Sequence, residues 1–337
     1  MTSISPKIKE LSIDLLDKAG ISGDVDSIDT IHQGGNNQIF RVKKNSQYFI
    51  VKKYFQHHDD LRNRLEAEFS FLEFAYEKIP RFVPKPYVKN IEESIALYEY
   101  IDGVKITNER EVETVNLKQA FNFISALNKD GIYSKKILNA SEACFSIGEH
   151  LNLIENRINE LSKCTERDSE FKRIINRVAE KWGVKRREVY INCQSHNIDV
   201  EKKLEQDEKI ISPSDFGFHN AIIRGHAVKF IDFEYSGWDD PAKLVGDFFG
   251  QVEIPVHNRH LGDFTRLAFR GKNFTEKNII RSKILLDAYK VKWCCIVLNI
   301  FLEKNLLRRL FANPNLDVDQ QKKIQLKKAS KILESLT

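Results

Sequence analysis

No stretch of this chain approaches the ~18 consecutive apolar residues that a membrane-spanning helix requires, so a helical integral membrane protein is not expected. The five cysteines (Cys144, Cys164, Cys193, Cys294 and Cys295) are odd in number and show no CxxC spacing. That pattern argues against both a disulfide framework and a cysteine metal knuckle and predicts reduced core thiols. The amino-terminal run MTSISPKIKELSIDLLDKAG lacks a cleavage site and reads as a short amphipathic helix. The expectation is a soluble, cytoplasmic protein. Internal repeats, low-complexity segments and charge of one sign are missing too. Lysine plus arginine number 53 and aspartate plus glutamate 48, a formal excess of +5 spread along the sequence. Such a balance argues against a nucleic-acid groove and a membrane surface, and it tolerates a small anionic ligand.

What the chain has is length and patterning. With 337 residues, 42% of them hydrophobic, it can bury one large or two moderate cores, which favours two lobes. From Val25 to about Tyr100 the sequence alternates as strands do. In QIFRVKKNSQYFIVKKYF, Asn45-Ser46 offers the turn of a hairpin. DDLRNRLEAEFSFLEFAYEKI then carries Leu61, Leu65, Phe69, Leu72 and Tyr76 at steps of three and four, an amphipathic helix that Pro80, Pro84 and Pro86 terminate. YVKN and SIALYEYIDG read as further strands. Beyond Gly103 helices dominate: LKQAFNFISALNKDG, IGEHLNLIENRINELSKC, DSEFKRIINRVAEKW and the long SKILLDAYKVKWCCIVLNIFLEKNLLRRL. Only NAIIR and AVKFID, joined at Gly225-His226, interrupt them. The fold class expected is α+β, bilobal, with a small β-rich lobe over residues 1–103 (a five-stranded sheet and one long helix) and a larger helical lobe over 104–337. Ligand clefts favour such junctions.

The chemistry concentrates in SPSDFGFHNAIIRGHAVKFIDFEYSGWDDP, where Asp215, Asn220, Asp232 and Asp240 lie close in sequence although gathering carboxylates costs free energy unless cations or donors compensate. One aspartate can accept the proton of an attacking hydroxyl. An amide oxygen and a second carboxylate can hold Mg²⁺ against nucleotide phosphates. Upstream, HQGGNNQIFRV places Gly34, Gly35 and Asn37 between two strand-like runs, where backbone can approach phosphate. Lys52 would supply a positive charge for the phosphates and Glu68 would orient it, with Lys53 and Glu66 as rivals for those places. His57-His58 lack partner ligands at useful spacing.

Taken in order (glycine turn, strand lysine, helix glutamate, DxxxxN, hairpin, aspartate), the chain resembles the aminoglycoside phosphotransferase and choline kinase superfamily, which has a protein-kinase-like fold. The likeness spans roughly residues 26–250 and is strongest in SDFGFHN and VKFIDFEYSGWDDPAKLVGDF. It implies ATP as cosubstrate with Mg²⁺, Asp215 as catalytic base, Asn220 and Asp232 as metal ligands, and Lys52 with Glu68 as the nucleotide-orienting ion pair. It also implies that the backbone of Glu99, Tyr100 and Ile101 meets adenine, that Asp240 and Asp247 are structural carboxylates, and that the partner is a small molecule bearing a hydroxyl, with the enzyme a monomer or homodimer. His219 is expected to pack the loop, and Trp238 to cap the lower lobe.

One departure from the superfamily's pattern stands out: Pro213-Ser214 occupy the place of its usual His-Gly. That motivates a second reading, a weak or inactive pseudokinase serving as a nucleotide-binding regulatory module. A protein kinase is disfavoured because no APE-like segment or long activation loop follows Asp232. The acceptor pocket would come from residues 109–208 and 273–304, where Arg173, Lys181, Lys185, Arg186 and Arg187 balance the glutamates. This favours a sugar or other polyol over a choline-like amino alcohol or an aminoglycoside.

Overall fold

A computed structural model describes residues 4–31, 35–58, 60, 62–112, 114–129, 137–269 and 276–336. Helix α1 (Pro6–Lys18) opens the chain. Ser5 caps it by accepting from the Ile8 amide, and Pro6, which has no amide hydrogen to satisfy, fills its first turn. Strands β1 (Val25–Ile31), β2 (Gln38–Lys44) and β3 (Gln47–Lys53) follow, then α2 (Arg64–Lys78), β4 (Pro86–Asn90) and β5 (Ile95–Glu99). The strands form one antiparallel five-stranded sheet of order β1-β2-β3-β5-β4 among the described residues. The β2–β3 turn is two residues long, with Lys44 opposite Gln47. Asn45 and Ser46 both take positive φ, 52° and 63°, the mirror-image turn that matches strand twist and that asparagine tolerates.

Alternation along the strands sends the two sheet faces to different tasks. Phe40, Val42, Phe49, Val51, Ile95 and Leu97 pack with Ile8, Leu15 and Leu16 of α1. The opposite face meets α2 through Ala96 and Tyr98, which join Leu65, Phe69 and Leu72 in a second core. Helix α2 begins only at Arg64, later than its periodicity suggested. Asn63 accepts from the Glu66 amide at 3.1 Å, and the Asp60 carboxylate is engaged by the side chains of Arg62 and Arg64.

The chain then runs through β6 (Val104–Lys105), α3 (Thr114–Leu127), α4 (Ile147–Ser162), α5 (Ser169–Ser195), β7 (Ile210–Ser212), β8 (Ala221–Arg224), β9 (Ala227–Phe230), β10 (Gly237–Asp239), α6 (Pro241–Gly250), α7 (Leu261–Ala268), α8 (Glu276–Leu298), α9 (Glu303–Ala312) and α10 (Val318–Ser335). This is the α+β arrangement the sequence predicts, a small antiparallel sheet followed by a larger helical part. Two short pairings were not visible in the sequence: β6 adds to the β8–β9 hairpin, and β7 pairs with β10. Gly237 lets the segment 138–140 run close against β10, because a Cβ there would lie 2.4 Å from the Leu138 carbonyl oxygen.

The long run read as a single helix is two. A turn at Asn299–Phe301 and extended backbone at Leu302 separate α8 from α9. No glycine or proline marks this break. It re-aims α9 toward the sheet, where Gln38 donates to the Phe311 carbonyl at 3.0 Å and Phe55 packs edge-on against Phe311. Distant contacts, rather than local propensity, set the boundary.

Helices α4, α5, α8 and α10 share one core. The core beneath α2 continues into the helical part through an aromatic column. Phe71 stacks on Phe233, Phe123 on Phe230, Phe216 on Phe248 and Phe248 on Phe264, at centroid distances of 4.5, 4.9, 5.3 and 4.8 Å.

Candidate active site

The period of β3 puts Lys52 and Lys53 on opposite faces, and the two lysines find different partners. Lys53 turns to Glu93. Lys52 Nζ lies 2.6 Å from Glu68 Oε2 and 2.6 Å from Asp232 Oδ1. On α2 the same sorting occurs: Glu66 accepts from Lys89 and Ser70, whereas Glu68 is buried and also accepts from the Tyr54 hydroxyl at 2.8 Å. Burial by itself would depress the Lys52 amine, but Asp232 and Glu68 outweigh it and hold the amine well above its ordinary value. Burial pushes the Glu68 carboxyl up, against the pull of Lys52.

Two short structures deliver the other groups. Between β7 and β8, Ser214 adopts φ 62°, the left-handed conformation that glycine takes most easily, and its amide is held by Ser212 Oγ at 3.0 Å. The turn thereby presents Asp215, and the Asn220 amide nitrogen donates to the Asp215 carbonyl at 3.0 Å. The neighbouring hairpin is tied to this loop by Ile231 N–H donating to the Asn220 carbonyl at 2.9 Å. Asp232 then leaves β9 with φ 68°. Asp215 and Asp232 keep 32% and 33% of their side chains exposed, enough to meet a ligand.

His219 Nε2 sits 3.1 Å from Asp215 Oδ1. Burial raises the Asp215 carboxyl, yet the facing imidazole overcomes it and the net shift is downward. Burial lowers His219, and Asp215 reverses that, so the imidazole titrates above its ordinary value.

These groups open on a cleft of about 1260 Å³ between the sheet and the helical part. Small-ligand pockets run to roughly 1,000 Å³, so the space suits two ligands side by side. Gly35, Ile39, Ile50 and the segment from Tyr98 to Ile101 line one end, and residues of α8, α9 and α10 line the other. Gly34 lies outside the described residues. Glu99 directs its carboxylate away to Lys229 and the Lys85 amide, and its own N–H donates to the Lys85 carbonyl at 2.9 Å.

A Mg²⁺ ion fits the donor set. The Asn220 nitrogen is fixed on the Asp215 carbonyl, so its amide oxygen is the free end. Lys52 takes Asp232 Oδ1, which leaves Oδ2. Among the described residues no cluster of three or more His, Cys, Asp or Glu could hold a metal ion by itself. Magnesium commonly uses one or two protein oxygens and completes its shell with water and phosphate.

The geometry commits two sets of residues weighed in the sequence to partners within the protein. Asn37, placed among nucleotide contacts, has its amide committed at both ends, to Glu234 Oε2 at 2.7 Å and to the Phe55 amide at 3.2 Å. The residue missed is its partner. Glu234, 1% exposed, also accepts from Asn36 at 2.5 Å and thereby latches the segment entering β2 to the hairpin that carries Asp232. The available signal was a carboxylate wedged between Phe233 and Tyr235. Secondly, the basic residues of α5 that balance the glutamates of the expected acceptor segment (Arg173, Lys181, Lys185, Arg186 and Arg187) do not line the cleft. Lys185 pairs with Glu188 and Asp287, and Arg186 with Glu155. The second end is instead built by Lys292, Trp293, Lys304, Arg308, Arg309 and Lys328, several of them beyond the segments expected.

The remaining carboxylates of the motif are buried and paired. Asp240 caps α6, accepts from the Ala242 amide at 2.7 Å, and meets His150 and Arg281 at 2.8 and 2.6 Å. Asp247 meets Lys292 at 2.8 Å. Trp238 is buried in β10.

No protein-family model and no curated protein matches this sequence. Solved structures do. A spectinomycin phosphotransferase, determined with ADP and spectinomycin, superposes with a TM-score of 0.61 at 14% identity, covering 98% of this chain and 99% of its own. A choline/ethanolamine kinase family protein from Mesorhizobium loti gives 0.59 at 16% identity, with 97% and 95% covered. A choline kinase from Streptococcus pneumoniae gives 0.57 at 19% identity, with 98% and 100% covered.

Proposed function

We propose that this chain, which has the protein-kinase-like fold shared by the aminoglycoside phosphotransferases and the choline and ethanolamine kinases, transfers the γ-phosphoryl group of ATP to a hydroxyl of a small molecule. The observation that carries this reading is the convergence of Lys52, Glu68 and Asp232 at one end of a two-ligand cleft that Asp215 also lines. Backbone from Glu99 to Ile101 would receive adenine, and the Gly35 segment would cover the phosphates. Lys52, directed by Glu68, would neutralise α- and β-phosphate oxygens. Asp232 and the Asn220 oxygen would hold Mg²⁺, which supplies charge neutralisation on the phosphates when bound. Asp215 would align the acceptor hydroxyl and take its proton as the new P–O bond forms and the bond to ADP breaks. Catalysis of this kind is mostly positioning and electrostatics.

Pro213-Ser214 are compatible with activity because Ser214 supplies a left-handed turn that Ser212 anchors, and Asp215 still lines the cleft. The direct test supplies ATP, Mg²⁺ and a panel of sugars, polyols, sugar acids and amino alcohols, and follows ADP release together with a product heavier by one phosphoryl group. Nucleotide binding without any phosphorylated product would make the chain a regulatory module instead.

His219 gives the reaction a pH signature. While protonated it holds the Asp215 carboxyl down and makes it a weaker base, so kcat/KM should rise with pH, as that charge is lost, through an inflection above the ordinary imidazole value. His219→Gln should erase that inflection. For stability the sign is opposite: a raised imidazole pKa stabilises the fold fully below the unfolded value and ceases to do so as pH climbs through the folded one. Rate profiles and melting curves across neutral to mildly basic pH, run on both proteins, check the two effects.

A further inference from the structure

The part of the cleft lined by α9 and Tyr235 carries positive charge that the cleft's carboxylates leave unpaired. Asp60 is engaged by Arg62 and Arg64, Glu142 by Arg157, Asp247 by Lys292 and Glu253 by Lys328; Glu160 is exposed at the margin. Arg308 and Arg309, consecutive on α9, are left over. Among the described residues Arg308 reaches only the Tyr235 hydroxyl, at 3.4 Å, and its Nε is buried with no hydrogen-bond partner. Arg309 makes no ion pair among the described residues. Burial and the neighbouring Arg308 lower its pKa against the distant pull of Glu253 and Tyr235. Half-buried guanidiniums side by side repel and lose hydration, a cost that a bound anion reverses. Tyr235 holds Arg308: its hydroxyl also accepts from Asn36 at 3.1 Å, and Tyr235 and both arginines line the same cleft as Asp215 and Asp232.

Resting on the kinase reading above, we propose that the acceptor is an acid, a hydroxyl compound whose carboxylate or phosphate group is gripped by Arg308 and Arg309. Arginine forks suit both anions, since each offers paired oxygens to paired N–H donors. A cationic acceptor, such as an amino alcohol, would meet like charge at this place.

The experiment fills the triphosphate site first, with Mg²⁺ and a non-hydrolysable ATP analogue, so that an anion cannot bind there instead. Calorimetric titrations then compare matched sets: glycerate and glucuronate, glycerol phosphate and glucose 6-phosphate, the neutral parents glycerol and glucose, and the amines ethanolamine and glucosamine. At least one acid should bind about tenfold or more tightly than its neutral parent, the size of a charge-assisted hydrogen bond, with the amines weakest. Whether carboxylate or phosphate wins identifies the anion. Arg308→Gln and Arg309→Gln should each remove the advantage while leaving analogue affinity and melting temperature near wild type. No preference for an acid, a preference for an amine, or an advantage that survives both substitutions overturns the inference and leaves the kinase reading standing. A loss of analogue affinity in the variants assigns the arginines to ATP and also overturns it. Failure of the wild type to bind the analogue overturns both readings.

Discussion

Asp215→Asn should lower kcat by roughly 10²- to 10⁴-fold, the usual contribution of a positioned general base, with little change in nucleotide affinity or melting temperature. The asparagine keeps the shape of the side chain and an oxygen that can still accept from His219 Nε2, which sits 3.1 Å from Asp215. It cannot accept the acceptor's proton. Neither Lys52 nor Asp232 hydrogen-bonds to Asp215, so the nucleotide end should be undisturbed. A coupled assay of ADP release and a calorimetric titration with ADP and Mg²⁺ separate the two effects. Near-normal turnover would remove Asp215 from the role of base, and lost nucleotide binding would make it structural.

Lys52→Met should cost more in stability than any other single change at the site. Its ammonium faces Glu68 and Asp232 at 2.6 Å each, and the Lys52 and Glu68 side chains are only 6% and 5% exposed. Removing it leaves two carboxylates close together without a cation, and breaking a buried pair from one side typically costs about 3–5 kcal/mol. Glu68 can soften that loss by taking up a proton, because burial already raises its pKa. Lys52→Met with Glu68→Gln should therefore lose less than the two single losses summed, the mark of coupled partners. Urea unfolding of the four proteins measures the coupling directly. KM for ATP should rise in both variants that lack Lys52. Additive losses would show that Lys52 and Glu68 do not act as a pair.

The α+β architecture could be read from the chain because alternation of period two gives way, near Gly103, to periods of three and four. The grouping of Asp215, Asn220 and Asp232 along one cleft could be read because they occupy one short run whose strand and turns are local. Lys52 separates from Lys53 by strand alternation, and Glu68 from Glu66 by its step to Leu72, both short-range effects. What escaped depends on contacts between distant segments. Nothing near Asn37 announces Glu234, since the pair is separated by most of the fold. The break between α8 and α9 comes from docking on Gln38 and Phe55. The cleft-lining role of Arg308 and Arg309 follows from where that break aims α9. Composition summed over α5 could not show that its basic residues face elsewhere.

The aromatic column has a consequence for how this molecule can be taken apart. Phe71 and Phe233 rest face to face, and through Phe230, Phe123, Phe216 and Phe248 the same oily interior extends from beneath the sheet to α7. A cut at the apparent border near Gly103 would divide that interior and wet both halves. Neither fragment would then be a self-sufficient folding unit, and heat should melt the chain from one end to the other in a single step.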